Sequence, residues 1–414
     1  MRSQAVSTAP SSGIVPTPED RSVLSIQDHS SSDGAQRCGA LYSAMIAILM
    51  AVLCSCGRPA NNTPRFGVIL SLSGPAAPYG LDNRKGVELA QEDLNRSGGI
   101  AGHRVELDIQ DSAGDPAQAL ALARRFAADK RVIAIIGPTR TGEAVAVAKI
   151  LPELKIPMVS VGSTGDWKSA AGEDFNQWTF RSTRVDTSLV EPLLKMARDR
   201  FGISKLSAIY TSNDDWSVSV MRVYEIAIKD LGLQLAAKES QMNGDTDRSA
   251  QLTKIKSTNP DGLIVNTLSS DAPTIADQAR RLGIRARFIG TAGFTNPSTW
   301  KLAGPGVLDG TLVAENFYAD SPRPIVKIFV REFREKFGID PAPYSAYAYD
   351  GMMILAQAVR KTGTPSDRGA LRASIASTSH FDGVLGDLTY HGKGDADKVP
   401  VILEISGSQY KLVQ

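Results

Sequence analysis

The chain has 414 residues, 42% of them apolar and 22% charged, which allows two domains of ordinary size with a large buried core. Its 46 Lys and Arg nearly balance 44 Asp and Glu, and no basic run is interleaved with aromatics, so no nucleic-acid partner is expected. All three cysteines (Cys38, Cys54 and Cys56) lie before residue 57, so the rest of the chain holds no disulfide framework, cysteine metal site or cysteine nucleophile.

Residues 1–38 are Ser-rich, polar and aperiodic, and read as disordered. Gly39–Leu53 is an uncharged apolar run, shorter than the roughly 20 residues that span a bilayer as a helix. It suits the h-region of a signal peptide, with Arg37 as a weak positive flank. Leu53-Cys54-Ser55-Cys56 follows and resembles the bacterial lipobox, with Leu three residues before the acylated Cys and a small residue directly before it. Residues 1–56 are therefore expected to be a leader with a lipoprotein signal, lipidated at Cys56 and held on a membrane surface. The alternatives are an uncleaved anchor or an unlipidated signal peptide. The polar stretch before the apolar run is unusually long and poor in positive charge, which admits a start further downstream. Residues 57–65 read as a flexible tether.

From Phe66 onward apolar runs of strand length alternate with stretches of helical period. Strands are expected at 66–70, 105–109, 131–136 and 156–161, with a helix through Val87, Ala90 and Leu94 that Gly98-Gly99 stops, and helices at 116–128 and 142–151. Asp115 is the N-cap of the second helix, with Pro116 in its first position. After Arg184 the rhythm restarts. Helices at 187–200, 216–231, 247–257 and 273–282 alternate with strands at 205–210, 234–238, 263–266 and 287–289. A strand at 311–315, helices at 323–337 and 344–361, and strands at 385–390, 399–405 and 409–413 complete the chain. The pattern predicts an α/β fold of two doubly wound lobes with parallel-rich sheets. Ligands of such sheets sit beyond the carboxyl ends of the strands, so the loops after Leu70, Ile136, Val161, Tyr210, Asn266 and Ile289 are the ones to watch.

These loops and their surroundings carry an ordered set of motifs: Leu72-Ser73-Gly74-Pro75 with Tyr79-Gly80, Asn95–Gly102, Asp111-Ser112-Ala113-Gly114-Asp115-Pro116, Ile136-Gly137-Pro138, Ser160–Thr164, Gln278-Ala279-Arg280 with Leu282-Gly283, and Tyr344 to Asp350. The set resembles the leucine/isoleucine/valine-binding family, in the lipoprotein form of the type I periplasmic binding fold. The likeness runs from residue 66 to about 405. It implies two lobes joined by three hinge strands, 66–183 plus 317–384 and 184–316 plus 385–414, closing on a small solute. It also implies an exported solute-binding protein of an ABC importer, capturing an amino acid, amide or small organic acid for permease subunits and needing no cofactor or metal. A ligand-sensing receptor module of the same fold is the alternative, and a polar tail ending at Gln414 favours transport over it. A role in envelope assembly without a ligand is a third.

The resemblance assigns ligand-binding roles to Tyr79, Thr141, Ser163, Thr164, Asp186 and Trp216. Thr141, Ser163 and Thr164 would meet a ligand carboxylate beside helix N-termini, where backbone N–H groups favour an anion; helix capping is their other use. Trp216 would close over the ligand, or else pack in the core. Asp186 would accept an amine or amide, or stand exposed. In the family an acid for the α-amino group follows the strand at 287–289, but Ala292 stands there, with Asp186 or Asp271 as substitute acids. Arg140 would either meet an extra carboxylate or be solvated. No P-loop, metalloprotease helix or nucleophile elbow is present, and His103, His380 and His391 are dispersed in polar contexts, so no enzyme is expected.

Overall fold

The computed structural model describes residues 63–165, 177–363, 367–390 and 400–413. The leader, its apolar run and Cys56 lie outside them.

The first sheet holds β1 (Arg65–Leu70), β2 (Glu106–Asp111), β3 (Val132–Ile136), β4 (Met158–Ser160) and β5 (Thr179–Arg181). All four pairings are parallel, in the order β2-β1-β3-β4-β5. The second sheet repeats that order with β6 (Lys205–Thr211), β7 (Gln234–Gln241), β8 (Gly262–Asn266), β9 (Arg287–Gly290) and β10 (Leu312–Glu315), running β7-β6-β8-β9-β10. Two further strands extend it beyond β10: β13 (Val401–Ser406) and β14 (Gln409–Leu412), both antiparallel. The expected parallel-rich α/β architecture in two lobes is what the chain forms.

Every residue of β3 and β8 is buried, as expected of strands covered by helices on both faces. Side chains alternate between the two faces. Phe66, Val68 and Leu70 enter one core with α1 (Ala77–Arg96), whereas Ile69 enters another with α2 (Pro116–Ala128) and α3 (Thr141–Ala148). In the second lobe Leu206, Ala208 and Ile264 pack against α4 (Thr187–Phe201) and α5 (Asp215–Asp230). Ile209, Leu263 and Val265 pack on the opposite side against α6 (Ser249–Ser257) and α7 (Ala272–Arg281). The helices α8 (Pro324–Phe337), α9 (Pro343–Thr362) and α10 (Arg368–Ala376) follow.

Local sequence explains most helix ends. The Asp115 carboxylate accepts N–H bonds from Ala117 at 2.6 Å and Gln118 at 3.0 Å, the cap its position suggests. Gly202, Gly338 and Gly363 end α4, α8 and α9 in the left-handed region.

Two expected elements differ. The helix expected over 142–151 stops at Ala148, and a separate turn spans Leu151–Leu154. Pro152 has no N–H to continue the earlier ladder. The strand expected at 385–390 is instead a short ribbon of β11 (Phe381–Gly383) and β12 (Gly386–Leu388). The buried Asp350 carboxylate takes the N–H groups of Val384 and Leu385, both at 2.9 Å, and fixes its turn. Leu388 and Tyr390 then enter the first sheet's core, whereas Val384 and Leu385 join the cluster that holds Leu206 and Ile264 of the second sheet.

The helices α1 and α9 touch at Gly86, where a Cβ would stand 2.1 Å from the Ser345 carbonyl oxygen. Gly86→Val should therefore cost about 1–3 kcal/mol or more through overpacking. A urea titration would check this, and an unchanged midpoint would contradict the crossing.

Candidate ligand-binding cleft

In each sheet the strand order reverses once, between β1 and β3 and again between β6 and β8. Crevices form at such points, beyond the carboxyl ends of the strands. The two crevices meet across a cavity of about 20 Å³, room for about one water. The chain is thus seen with its lobes closed.

All six loops marked in the sequence contribute to the cavity wall. The first lobe supplies Tyr79, the run Thr139-Arg140-Thr141 and Gly162, with Tyr344 from the first turn of α9. The second lobe supplies Trp216, Leu268 and Ala292. A buried amide knots the first-lobe part together. The Asn83 side chain donates to the carbonyls of Val161 at 2.9 Å and Tyr344 at 2.8 Å, and accepts from the Thr139 hydroxyl at 3.0 Å. Gly162 is required there, because a Cβ would stand 2.3 Å from the Thr139 carbonyl oxygen.

Hydrogen bonds clasp the lobes. The Tyr79 hydroxyl donates to the Ala292 carbonyl at 3.0 Å and accepts the Ser269 N–H at 2.5 Å. Burial pushes this phenol up to about 12, so it stays a donor at any physiological pH. The Asn296 side chain donates to Asp82 at 2.8 Å. Arg140 forms an ion pair with Asp214, the N-cap of α5.

Of the six residues assigned from the sequence, Tyr79, Thr141 and Trp216 line the cavity. Ser163 is buried away from the wall, its hydroxyl 2.6 Å from that of Ser160. Thr164 and Asp186 sit behind Trp216, whose indole N–H lies 2.9 Å from both the Thr164 hydroxyl and the Asp186 carboxylate. Asp186 is only 1% exposed, so it is not a surface acid, and burial pushes its carboxyl above the ordinary range. Arg140 is not solvated either: its side chain is four-fifths buried against Asp214. Thr141 does not cap its helix; its hydroxyl accepts the Gly165 N–H at 3.2 Å. Asp271 faces elsewhere, accepting from Gln241 at 3.0 Å with Arg248 at 3.5 Å. Sequence reasoning passed over Asn83, Thr139 and Tyr344 as site residues. Thr139 stood within a marked loop, whereas Asn83 and Tyr344 act through contacts distant in the chain.

A profile for periplasmic binding proteins matches residues 63–400. The chain belongs to this family. It is 28% identical over 351 residues to a Leu/Ile/Val-binding protein homolog of Brucella suis, covering 84% of this chain and 91% of the relative. The Thermotoga maritima leucine binding protein LivK shares its fold at a TM-score of 0.78 and 26% identity, over 85% of this chain and 98% of that one. The Streptococcus pneumoniae branched-chain amino acid substrate-binding protein LivJ, solved with isoleucine, matches at a TM-score of 0.78 and 23% identity, over 85% and 99%. The fold is thus the type I periplasmic binding fold, and the family is one of extracytoplasmic solute binders. Among the described residues no helix is long and apolar enough to cross a membrane.

Below the cavity Glu315, the last residue of β10, accepts from the Tyr347 hydroxyl and from the Asn316 N–H at 2.6 Å. Burial pushes its carboxyl from 4.5 up to about 7. Burial shifts Asp82, Glu143 and Asp186 the same way. The folded chain therefore holds this proton more tightly than the unfolded chain. That stabilisation is complete below pH 4.5 and is lost as pH rises through about 7. Unfolding free energy should fall by about 1–3 kcal/mol between pH 5 and 8. Glu315→Gln should flatten part of that slope; an unaltered slope would show that Glu315 titrates normally.

Proposed function

We propose that the protein is the solute-binding component of an ABC importer, exported and lipid-anchored through Cys56 on the extracytoplasmic side of a membrane. Its two lobes close on a branched-chain amino acid or a related small amide or carboxylate and present the closed form to permease subunits. Three crossings between the lobes, two of them near residues 184 and 316, serve as hinges.

The observation that carries this reading is the convergence of six strand-end loops, three from each of two sheets of identical order, on one cavity. The wall combines aromatic rings with a few polar groups, as small-molecule sites do. Tyr79 and Tyr344 stand 4.5 Å apart between ring centroids. Trp216 closes the second-lobe side, held by Thr164 and Asp186. Family membership supports the same conclusion. Nothing in the site resembles an activated nucleophile, and the described residues contain no group of side chains that would hold a metal.

Mass spectrometry of small molecules released on denaturing the purified protein identifies the solute. Titration calorimetry then tests the cleft. Tyr79→Phe removes two hydrogen bonds between the lobes at about 0.5–1.5 kcal/mol each, so affinity should fall roughly 5- to 150-fold. Trp216→Ala should weaken binding at least as much, and Thr164→Ala should weaken it less. Unchanged affinity in both Tyr79→Phe and Trp216→Ala would place the solute elsewhere.

A further inference from the structure

We propose that the solute is a carboxylate with an apolar body and no ammonium group, held by the guanidinium of Arg140. This rests on the solute-binding reading above and narrows it. The cavity wall carries one formal charge, that of Arg140, and no carboxylate.

Each buried acid near the wall is committed elsewhere, and Asp215, whose carboxylate stands beside Gly142, is exposed to water. Asp186 lies behind the Trp216 indole N–H. Asp214 faces Arg140 and caps α5 through the Ser217 N–H at 2.9 Å. Glu143 accepts from the Ser71 hydroxyl at 2.9 Å and the Arg140 N–H at 3.1 Å. Glu315 is taken by Tyr347, and Asp82 by Lys85 and Asn296. An ammonium enclosed here would have no anionic partner, and burying an unpaired charge costs several kcal/mol. The second-lobe wall offers Leu268 and Ala292 instead, both apolar.

Arg140 is placed to receive an anion. It precedes α3, between Thr139 and Thr141 on the wall. A guanidinium presents five N–H donors in a planar fork. One amino group meets Asp214, while the other makes only a long contact of 3.5 Å with the Gly114 carbonyl. Donor capacity therefore remains for a second carboxylate. Asp214 belongs to the opposite lobe, so parting the lobes separates the pair and frees the guanidinium for an incoming anion. On closure Asp214 and the solute share it. The rings of Tyr79, Tyr344 and Trp216 would surround the apolar body.

The test is titration calorimetry of the purified protein with matched probes: 4-methylpentanoate, 2-oxo-4-methylpentanoate, 3-phenylpropanoate, L-leucine, L-phenylalanine and 4-methylpentanamide. At least one acid should bind tenfold or more tightly than its amino-acid counterpart, and 4-methylpentanoate should exceed its amide by a similar factor. The double variant Arg140→Gln with Asp214→Asn keeps the pair neutral and hydrogen-bonded. It should abolish the preference for acid over amide, with circular dichroism confirming the fold. A merely structural pair would weaken both alike and leave that preference intact, which would overturn the proposal. So would tighter binding of the amino acids, binding by none of the acids, or release of an ammonium-bearing solute from the native protein. Those results leave the solute-binding reading standing. That reading fails separately if no small molecule is released and Tyr79→Phe and Trp216→Ala bind every probe as the parent does.

Discussion

Parallel pairing of β1 with β3, and of β6 with β8, governs where a solute can meet this chain. A parallel pair needs a crossover, and in each sheet the first strand sends its crossover to one side while later strands lie on the other. The loops leaving the two central strands therefore diverge and open a crevice. Because both sheets use the same order, two crevices are built from different sequences by one constraint. The cavity lies where they meet, and its lining follows from that placement more than from the identity of any single side chain.

Closing such a cleft removes polar groups from water, and the seam shows how this is tolerated. Several buried donors and acceptors at the contact find partners on the other lobe or in the loop beside it. The Tyr79 hydroxyl uses both of its capacities across the gap. The Trp216 indole N–H sits against Thr164 and Asp186, which arrive from the first lobe and from the first crossing. Asp82 and Asn296 form a third link. An unmet hydrogen-bonding group there would cost about 1–3 kcal/mol, so the closed form is selected for one register of the two lobes. The carboxyls buried in and beneath this seam lean toward their neutral forms for the same reason.

Much of the fold was legible in the sequence because its signals are local. Fully apolar strand runs, Asp115 before Pro116 and glycines after α4, α8 and α9 each act within a few residues. The six loops were legible too, since strand order and chain direction place them. What was not legible depends on distant contacts. Nothing near Asn83 announces that it bonds two carbonyls 78 and 261 residues away. Asp186 read as a ligand contact or an exposed acid because the indole that covers it comes from another helix. Arg140 read as solvated or as a partner for a ligand carboxylate because Asp214 lies in the opposite lobe. The ribbon at 381–388 depends on the Asp350 carboxylate of a preceding helix. Charge pairing across a cleft leaves no local trace.

Interlobe distance reports most directly on whether this is a hinged solute trap. Spin labels at Arg84→Cys on α1 in the first lobe and Lys301→Cys after β9 in the second, both exposed positions, would report the separation of the lobes in a chain whose Cys38, Cys54 and Cys56 are replaced by serine. Double electron–electron resonance should give a long or broad distance distribution in the stripped protein. It should give one short, narrow distribution when the solute released from the native protein is restored at saturation. Identical distributions with and without that solute would contradict the account.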